Sequence, residues 1–277
     1  MSTPVLVEIE TGVPVLRDPQ VPLVQVDETG YLRGDGVFET LAVLDGRPRA
    51  LTEHLQRLAD SARAIGLRIP EAALWSRAID LAVTKHDPLD DVTIRMIAAY
   101  GSGDGARCTV RAAPTPDSSA LRKRGAAVVV LDRGYPSGPL PPWLLGGVKT
   151  TSGAVTRAAL REAASRGADD VLWRTSDGLL LEGATSSLVL LCGTVLSTPS
   201  SGSVLAGTTV ERILALGERR GLRSARRDVP VSALVEADSA WLVSSTRRAI
   251  PIRSVDGASL ALDGALTSVF EAGLLAG

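Results

Sequence analysis

Apolar positions along this chain recur with two different periods, and the switches between them mark out the elements. A short strand pattern runs through 5–15. From Tyr31 the chain reads Leu-Arg-Gly-Asp-Gly-Val-Phe-Glu-Thr-Leu-Ala-Val-Leu44. Its second half alternates as a strand does, and Asp45-Gly46 is a hairpin turn signal. Leu55, Leu58, Ala62 and Ile65 then recur at helical spacing, with Thr52 placed to cap the helix and Gly66 to end it. A second helix is expected over 71–85. Strands over 92–99 and 107–112 follow, separated by a glycine-rich turn at 101–105.

The stretch 113–119 (Ala-Pro-Thr-Pro-Asp-Ser-Ser) is crowded with turn formers and reads as an interlobe linker. Beyond it come an apolar strand over 126–131, a proline-rich loop over 136–142 and a helix over 154–166 stopped by Gly167. A dense β series follows at 171–175, 179–182, 187–191 and 194–197. A helix over 208–220, a strand over 240–244 and a final helix complete the pattern. Strands and helices are partly segregated and several connections are hairpin-like. That predicts an α+β fold with a barrel-like second lobe rather than a doubly wound parallel sheet. The expected division is an N-terminal α/β lobe over 1–112, a linker over 113–124 and a C-terminal pseudo-barrel lobe over 125–277 that carries Lys149.

Composition narrows the function classes. With 277 residues the chain can bury a sizeable core, and two lobes are expected. The 30 basic and 31 acidic side chains balance, which gives no electrostatic reason to expect nucleic acid or a membrane surface. Cys108 and Cys192 lie far apart without metal-ligand spacing, and His54 and His86 cannot make a histidine-rich site, so no metal is expected. No signal-like or membrane-length apolar stretch stands out, and a cytoplasmic protein is expected.

The lysines change the picture. There are three, Lys85, Lys123 and Lys149. Lys85 and Lys123 sit in polar surroundings and read as solvated. Lys149 follows Trp143-Leu-Leu-Gly-Gly-Val148, where an ammonium loses hydration and the neutral, nucleophilic amine gains ground. The other reading is a side chain that snorkels to water.

Further groups carry two readings each. Gly207-Thr208-Thr209 opens a helix, so its N–H groups, dipole and hydroxyls suit an anion, while Thr208 and Glu211 also have capping-box spacing. Ser244-Ser245-Thr246 ends a strand and is either a second hydroxyl cluster or a plain loop. Arg57 lies off the apolar stripe of its helix and is either an anion partner or a solvated residue. Glu182 ends a leucine-rich strand and needs a partner there, either an arginine or a protonated ring nitrogen. Together these groups are equipment for pyridoxal 5'-phosphate. Lys149 is the attachment point and Glu182 faces the ring nitrogen. Arg57, Thr208, Thr209, Ser245 and Thr246 hold the phosphate.

The ordered pieces 34–39 (Gly-Asp-Gly-Val-Phe-Glu), 54–61 (His-Leu-Gln-Arg-Leu-Ala-Asp-Ser), Lys149, Leu181-Glu182-Gly183, 205–209 (Leu-Ala-Gly-Thr-Thr) and Ser244-Ser245-Thr246 span nearly the whole chain. In these the sequence resembles the class IV pyridoxal-phosphate aminotransferases of fold type IV, and within them the actinobacterial aminodeoxychorismate lyases. The resemblance implies two lobes, a site between them and a homodimer. It also implies Thr40 as a proton relay or substrate contact, with Arg33 and Tyr100 toward the substrate. Several pieces depart from the family. Gly153 stands in the region of a tyrosine, Thr156 replaces an asparagine, Tyr100 stands where several lyases have arginine, and Ser186-Ser187 replaces an asparagine.

The expected reaction is cleavage of 4-amino-4-deoxychorismate to 4-aminobenzoate and pyruvate. The alternatives are transamination of D- or branched-chain amino acids, or a divergent member without pyridoxal chemistry.

Overall fold

The computed structural model describes residues 3–89, 91–103, 105–200 and 202–276. The chain divides into two compact units, Met1–Pro116 with Val148–Gly153, and Asp117–Gly147 with Ala154–Gly277. The segment carrying Lys149 therefore groups with the first unit, whereas the sequence reading gave it to the C-terminal lobe. The physical reason is strand pairing, described below.

In the first unit β1 (Val5–Glu10) and β2 (Val13–Arg17) form a hairpin through Thr11 and Gly12, both at positive φ. A short helix, α1 (Thr29–Arg33), leads into β3 (Gly36–Leu44), β4 (Arg47–Pro48), α2 (Leu51–Ala64) and α3 (Ala72–Lys85). The antiparallel strands β5 (Asp91–Tyr100) and β6 (Ala106–Pro114) complete a sheet of order β2-β1-β6-β5-β3-β4. Asp104, within the expected 101–105 turn, lies outside the described residues.

Alternation decides what each face of this sheet buries. Val7 and Ile9 of β1, Val37, Leu41 and Val43 of β3, Ile94 and Met96 of β5 and Val110 of β6 pack with Leu55, Leu58 and Ala62 of α2 and with Trp75 and Ile79 of α3. Thr52 does not cap α2. The cap position is Ala50, at φ 50°, and makes no side-chain cap bond. Gly66 ends the helix as expected, at φ 71°, and the Leu67 N–H reaches back to the Ala62 carbonyl. The linker expected from residue 113 begins later, because Ala113 and Pro114 still pair with Thr93 and Val92.

The second unit runs α4 (Ser119–Arg124), β7 (Ala126–Asp132), a 3-10 turn at Pro142–Leu144, α5 (Ala154–Ser165), β8 (Asp170–Arg174), β9 (Leu180–Gly183), β10 (Ser187–Cys192) and β11 (Val195–Pro199). It continues with α6 (Thr208–Glu218), β12 (Arg223–Arg227), α7 (Ala233–Glu236), β13 (Ser239–Ser244), β14 (Arg248–Val255), β15 (Ala258–Ser259) and α8 (Gly264–Leu275). The sheet order is β12-β11-β10-β13-β14-β7-β8-β9, with β15 on β14. It is mixed, with parallel pairs at β11/β12, β14/β7 and β7/β8.

Its central strands are buried on both faces and read as unbroken apolar runs. Leu188, Leu190, Leu242, Ile250 and Ile252 fill one cluster. Val189, Trp241 and Val243 pack on the other side with Ile213 of α6 and Phe270 of α8. The Trp241 and Phe270 rings meet edge to face at 5.2 Å. Strands β12 and β14 were not anticipated. The first reads Arg-Ser-Ala-Arg-Arg, and the second contains Pro251 opposite Trp241, so neither has a strand signature.

Candidate functional site

In the first unit the two faces of β3 carry different chemistry. Glu39 lies on the core face between Val37 and Leu41 and is completely buried. A carboxylate there must be compensated, and α2 supplies the partners. His54, Arg57, Leu58 and Ser61 fall at the spacing that places residues on one side of a helix. Arg57 Nε donates to Glu39 Oε1 at 2.5 Å and Nη2 donates to Oε2 at 2.9 Å. His54 Nδ1 lies 2.7 Å from Oε2, and the Thr40 N–H donates to the same oxygen at 3.2 Å. Burial alone would raise the Glu39 pKa, but the hydrogen bonds from His54 and Arg57 and their charge outweigh it and bring it down to about 2. An ionised carboxylate only accepts, so the His54 proton sits on Nδ1. The 3.4 Å approach of Arg57 Nη2 to that same nitrogen is then donor against donor, not a hydrogen bond. Arg57 is not the solvated helix residue of the alternative reading; its side chain is 13% exposed.

Phe38 and Thr40 point to the opposite face. The segment 148–151 extends the sheet beside the start of β3. The Phe38 N–H donates to the Lys149 carbonyl at 3.0 Å, the Thr151 N–H donates to the Gly36 carbonyl at 2.8 Å, and Val37 and Thr150 form a bridge. The Lys149 N–H donates to Ser61 Oγ at 3.3 Å, so the stripe that grips Glu39 also holds this segment. Half-buried Lys149 has its Nζ 4.7 Å from the centre of the Phe38 ring, and the Arg95 guanidinium lies 5.2 Å from the same ring. Arg95 sits across from Thr40 in the register, and Thr40 Oγ1 is buried without a hydrogen-bond partner. Lys85 and Lys123 are exposed.

Glycines fix the approach to β3. A Cβ on Gly36 or on Gly30 would lie 2.6 Å from that of Ala99. Arg33 is exposed in the last turn of α1. The Tyr100 hydroxyl donates to the Ile65 carbonyl at 3.2 Å, which ties it to the end of α2.

In the second unit the candidates gather on the turn 183–187. Glu182 is half-buried at the end of β9, and the Leu205 N–H approaches its Oε1 at 3.5 Å. Gly183 packs against Ser186, where an added Cβ would lie 2.6 Å from Oγ. Ser245 and Thr246 form the tight turn between β13 and β14. Their neighbour Arg247 reaches Asp170 at 2.8 Å and Ser186 Oγ at 3.1 Å. Thr208 and Thr209 open α6 behind Gly207, whose added Cβ would lie 2.5 Å from Ser187 Oγ. The capping-box reading does not hold: Gly207 is the cap residue, Thr208 is already helical, and Glu211 pairs with Arg226.

The donor sets fit the cofactor expected from the sequence. The second unit offers hydroxyls and a helix start to an anion, with a carboxylate on the same hub. The first offers an amine on an aromatic face and a guanidinium gripped through its Nε and Nη2 edge. Sequence reasoning missed Glu39 as the anchor of Arg57, and it missed Arg95 and Arg247. Glu39 stood inside a quoted motif, and a charge at an inward position of an alternating strand was the available signal.

Comparison with known proteins agrees. Residues 36–255 match the amino-transferase class IV family. A bifunctional aminodeoxychorismate lyase / D-amino acid transaminase from Mycobacterium tuberculosis is 35% identical over 88% of this chain and 90% of its own length. A fold IV transaminase structure from Curtobacterium pusillum is 39% identical, with a TM-score of 0.95 over 99% of this chain and all of that one. A hypothetical aminotransferase from Mycobacterium tuberculosis, solved in a PLP-bound form, is 32% identical with a TM-score of 0.90 over 99% of both chains. The chain belongs to the class IV aminotransferases, a pyridoxal-phosphate-dependent family of fold type IV. No helix among the described residues is long and apolar enough to cross a membrane.

Proposed function

We propose that this enzyme is an aminodeoxychorismate lyase that forms 4-aminobenzoate and pyruvate. The observation that carries the reading is the Lys149 amine on the Phe38 ring, with the buried, unpartnered Thr40 hydroxyl on the same face of β3. Bound pyridoxal phosphate supplies an electron sink for the substrate's amine-bearing carbon. Lys149 holds the cofactor and then, as a free amine, takes the proton from that carbon. The bond from the ring to the enolpyruvyl oxygen breaks with its electron pair going to the oxygen, the ring becomes aromatic, and the departing enolate gains a proton on its methylene carbon to become pyruvate. Thr40 donates a hydrogen bond to the leaving oxygen. Glu182 is the partner of the cofactor's ring nitrogen, and Arg57, Thr208, Thr209, Ser245 and Thr246 hold its phosphate. With the Tyr100 hydroxyl turned to Ile65, exposed Arg95 is the better candidate for a substrate carboxylate, and Arg33 is the second.

A second reading is D-amino acid transamination, supported by the bifunctional name of the mycobacterial relative. There the same amine moves a proton between the substrate's α-carbon and the cofactor. Incubation with aminodeoxychorismate, and separately with D-amino acids and keto acids, separates the two. The lyase yields 4-aminobenzoate, and its absence beside new D-amino acid would overturn the first reading. We place the enzyme in the cytoplasm as a homodimer. Light scattering that finds only monomer with cofactor present would count against the dimer.

A further inference from the structure

Glu39 is a costly residue to keep. It is wholly inside the core of the first unit, where an apolar side chain of similar size would satisfy the packing without any ion to compensate. Its carboxylate nevertheless receives four donors: two from Arg57, one from His54 and one from the Thr40 backbone. Stability alone does not explain the arrangement, since a buried ion pair seldom outperforms a packed hydrophobic group. Geometry does. A carboxylate that grips a guanidinium through Nε and Nη2 fixes its plane, and a fixed plane fixes where the opposite edge points. His54 in turn holds the carboxylate, because its Nδ1 proton is committed to Oε2. Glu39 is thus restrained from one side and restrains Arg57 on the other.

We propose that Glu39, backed by His54, is a positioning residue that aims Arg57 at the cofactor's phosphate. It touches neither cofactor nor substrate. The inference rests on the reading of Arg57 as a phosphate ligand and assigns the origin of that arginine's orientation.

The test compares two aldehydes on the apoenzyme, pyridoxal phosphate and phosphate-free pyridoxal, each titrated by its absorbance change. The wild type should prefer the phosphorylated form, and Arg57→Ala should lose most of that preference. Glu39→Gln should lower pyridoxal phosphate affinity by about 10–100-fold, the worth of well-placed hydrogen bonds to a charged group. It should leave pyridoxal affinity within about twofold, because no phosphate is there to miss. The Glu39→Gln/Arg57→Ala double variant should be no worse than Arg57→Ala alone. If Glu39→Gln does not fold, Glu39→Asp keeps the charge, withdraws it by one methylene, and should still narrow the preference.

A wild type that does not distinguish the two aldehydes overturns the reading of Arg57 itself. An Arg57→Ala variant that loses the distinction while a folded Glu39→Gln or Glu39→Asp keeps it overturns only the positioning role. An equal fall for both aldehydes would assign Glu39 to the fold and likewise overturn it.

Discussion

Two regions of this molecule carry candidate phosphate ligands, and they are built in opposite ways. In the first unit the ligand is a full charge, Arg57, and the structure answers it with a buried counter-charge, a histidine and a helix stripe. In the second unit the ligands are the hydroxyls of Thr208, Thr209, Ser245 and Thr246 on a helix start and a tight turn, with close-packed glycines beside them. A charge taken out of water needs compensation before it can bind anything. A hydroxyl at a helix start needs only secondary structure to place it. The first region should therefore fail by unfolding as much as by losing ligand, and the second by losing ligand alone.

The largest effect is expected at Lys149. Lys149→Ala should remove the covalent adduct that borohydride fixes in the wild type, and lower turnover by at least about 10²–10⁴-fold through lost proton transfer alone. Mass spectrometry that places the adduct on Lys85 or Lys123 would break the comparison at its root.

Next is Arg57→Ala, which strands Glu39 in the core. We expect a loss of about 3–5 kcal/mol of stability in urea unfolding of the apoenzyme, and with it weaker cofactor binding. Unchanged stability would mean that the first region is no more demanding than the second.

The acid limb of stability sharpens the same point. The Glu39 pKa falls from 4.5 to about 2 on folding. A depressed carboxylate pKa contributes stability that is fully present above 4.5 and is lost as the pH drops through about 2. Urea unfolding between those limits should show the wild type losing up to about 3 kcal/mol that Glu39→Gln has no means to lose.

The smallest effect belongs to the second region. Thr208→Ala should weaken pyridoxal phosphate by about 1.5–3 kcal/mol, one hydrogen bond to a charged group, with the apo melting temperature unchanged. A large fall in melting temperature would show that this region, too, supports the fold.

The contrast also explains what could be read in the sequence. Helices α2 and α3 and strands β5, β7 and β10 follow from periodicity because packing repeats what the pattern states. Lys149, Arg57 and the hydroxyl clusters stood out by composition and order. Glu39 did not reveal its role, because it is a long-range partner of a helix fifteen residues away, and alternation marks it only as an inward position. The N-terminal caps of α2 and α6 were misjudged for a similar reason. Thr52 and Thr208 are good cap residues that the chain places two and one residues too late, inside the helix. Strand β14 was hidden by Pro251, and no spacing or periodicity marks Arg247, which ties its turn to Asp170 and Ser186.

The pairing of 148–151 with β3 has a consequence for biosynthesis. The first unit is interrupted by residues 117–147, which belong to the second, so its sheet is closed only when Lys149 and Thr151 have been made. Until then the Phe38 N–H and the Gly36 carbonyl form part of an open strand edge on the nascent chain, the kind of edge on which chains associate. At about 5–20 residues per second the interval lasts roughly 2–6 s. A ribosome stalled ahead of Val148 would hold that edge open, and the same short segment that delivers the lysine ends the exposure.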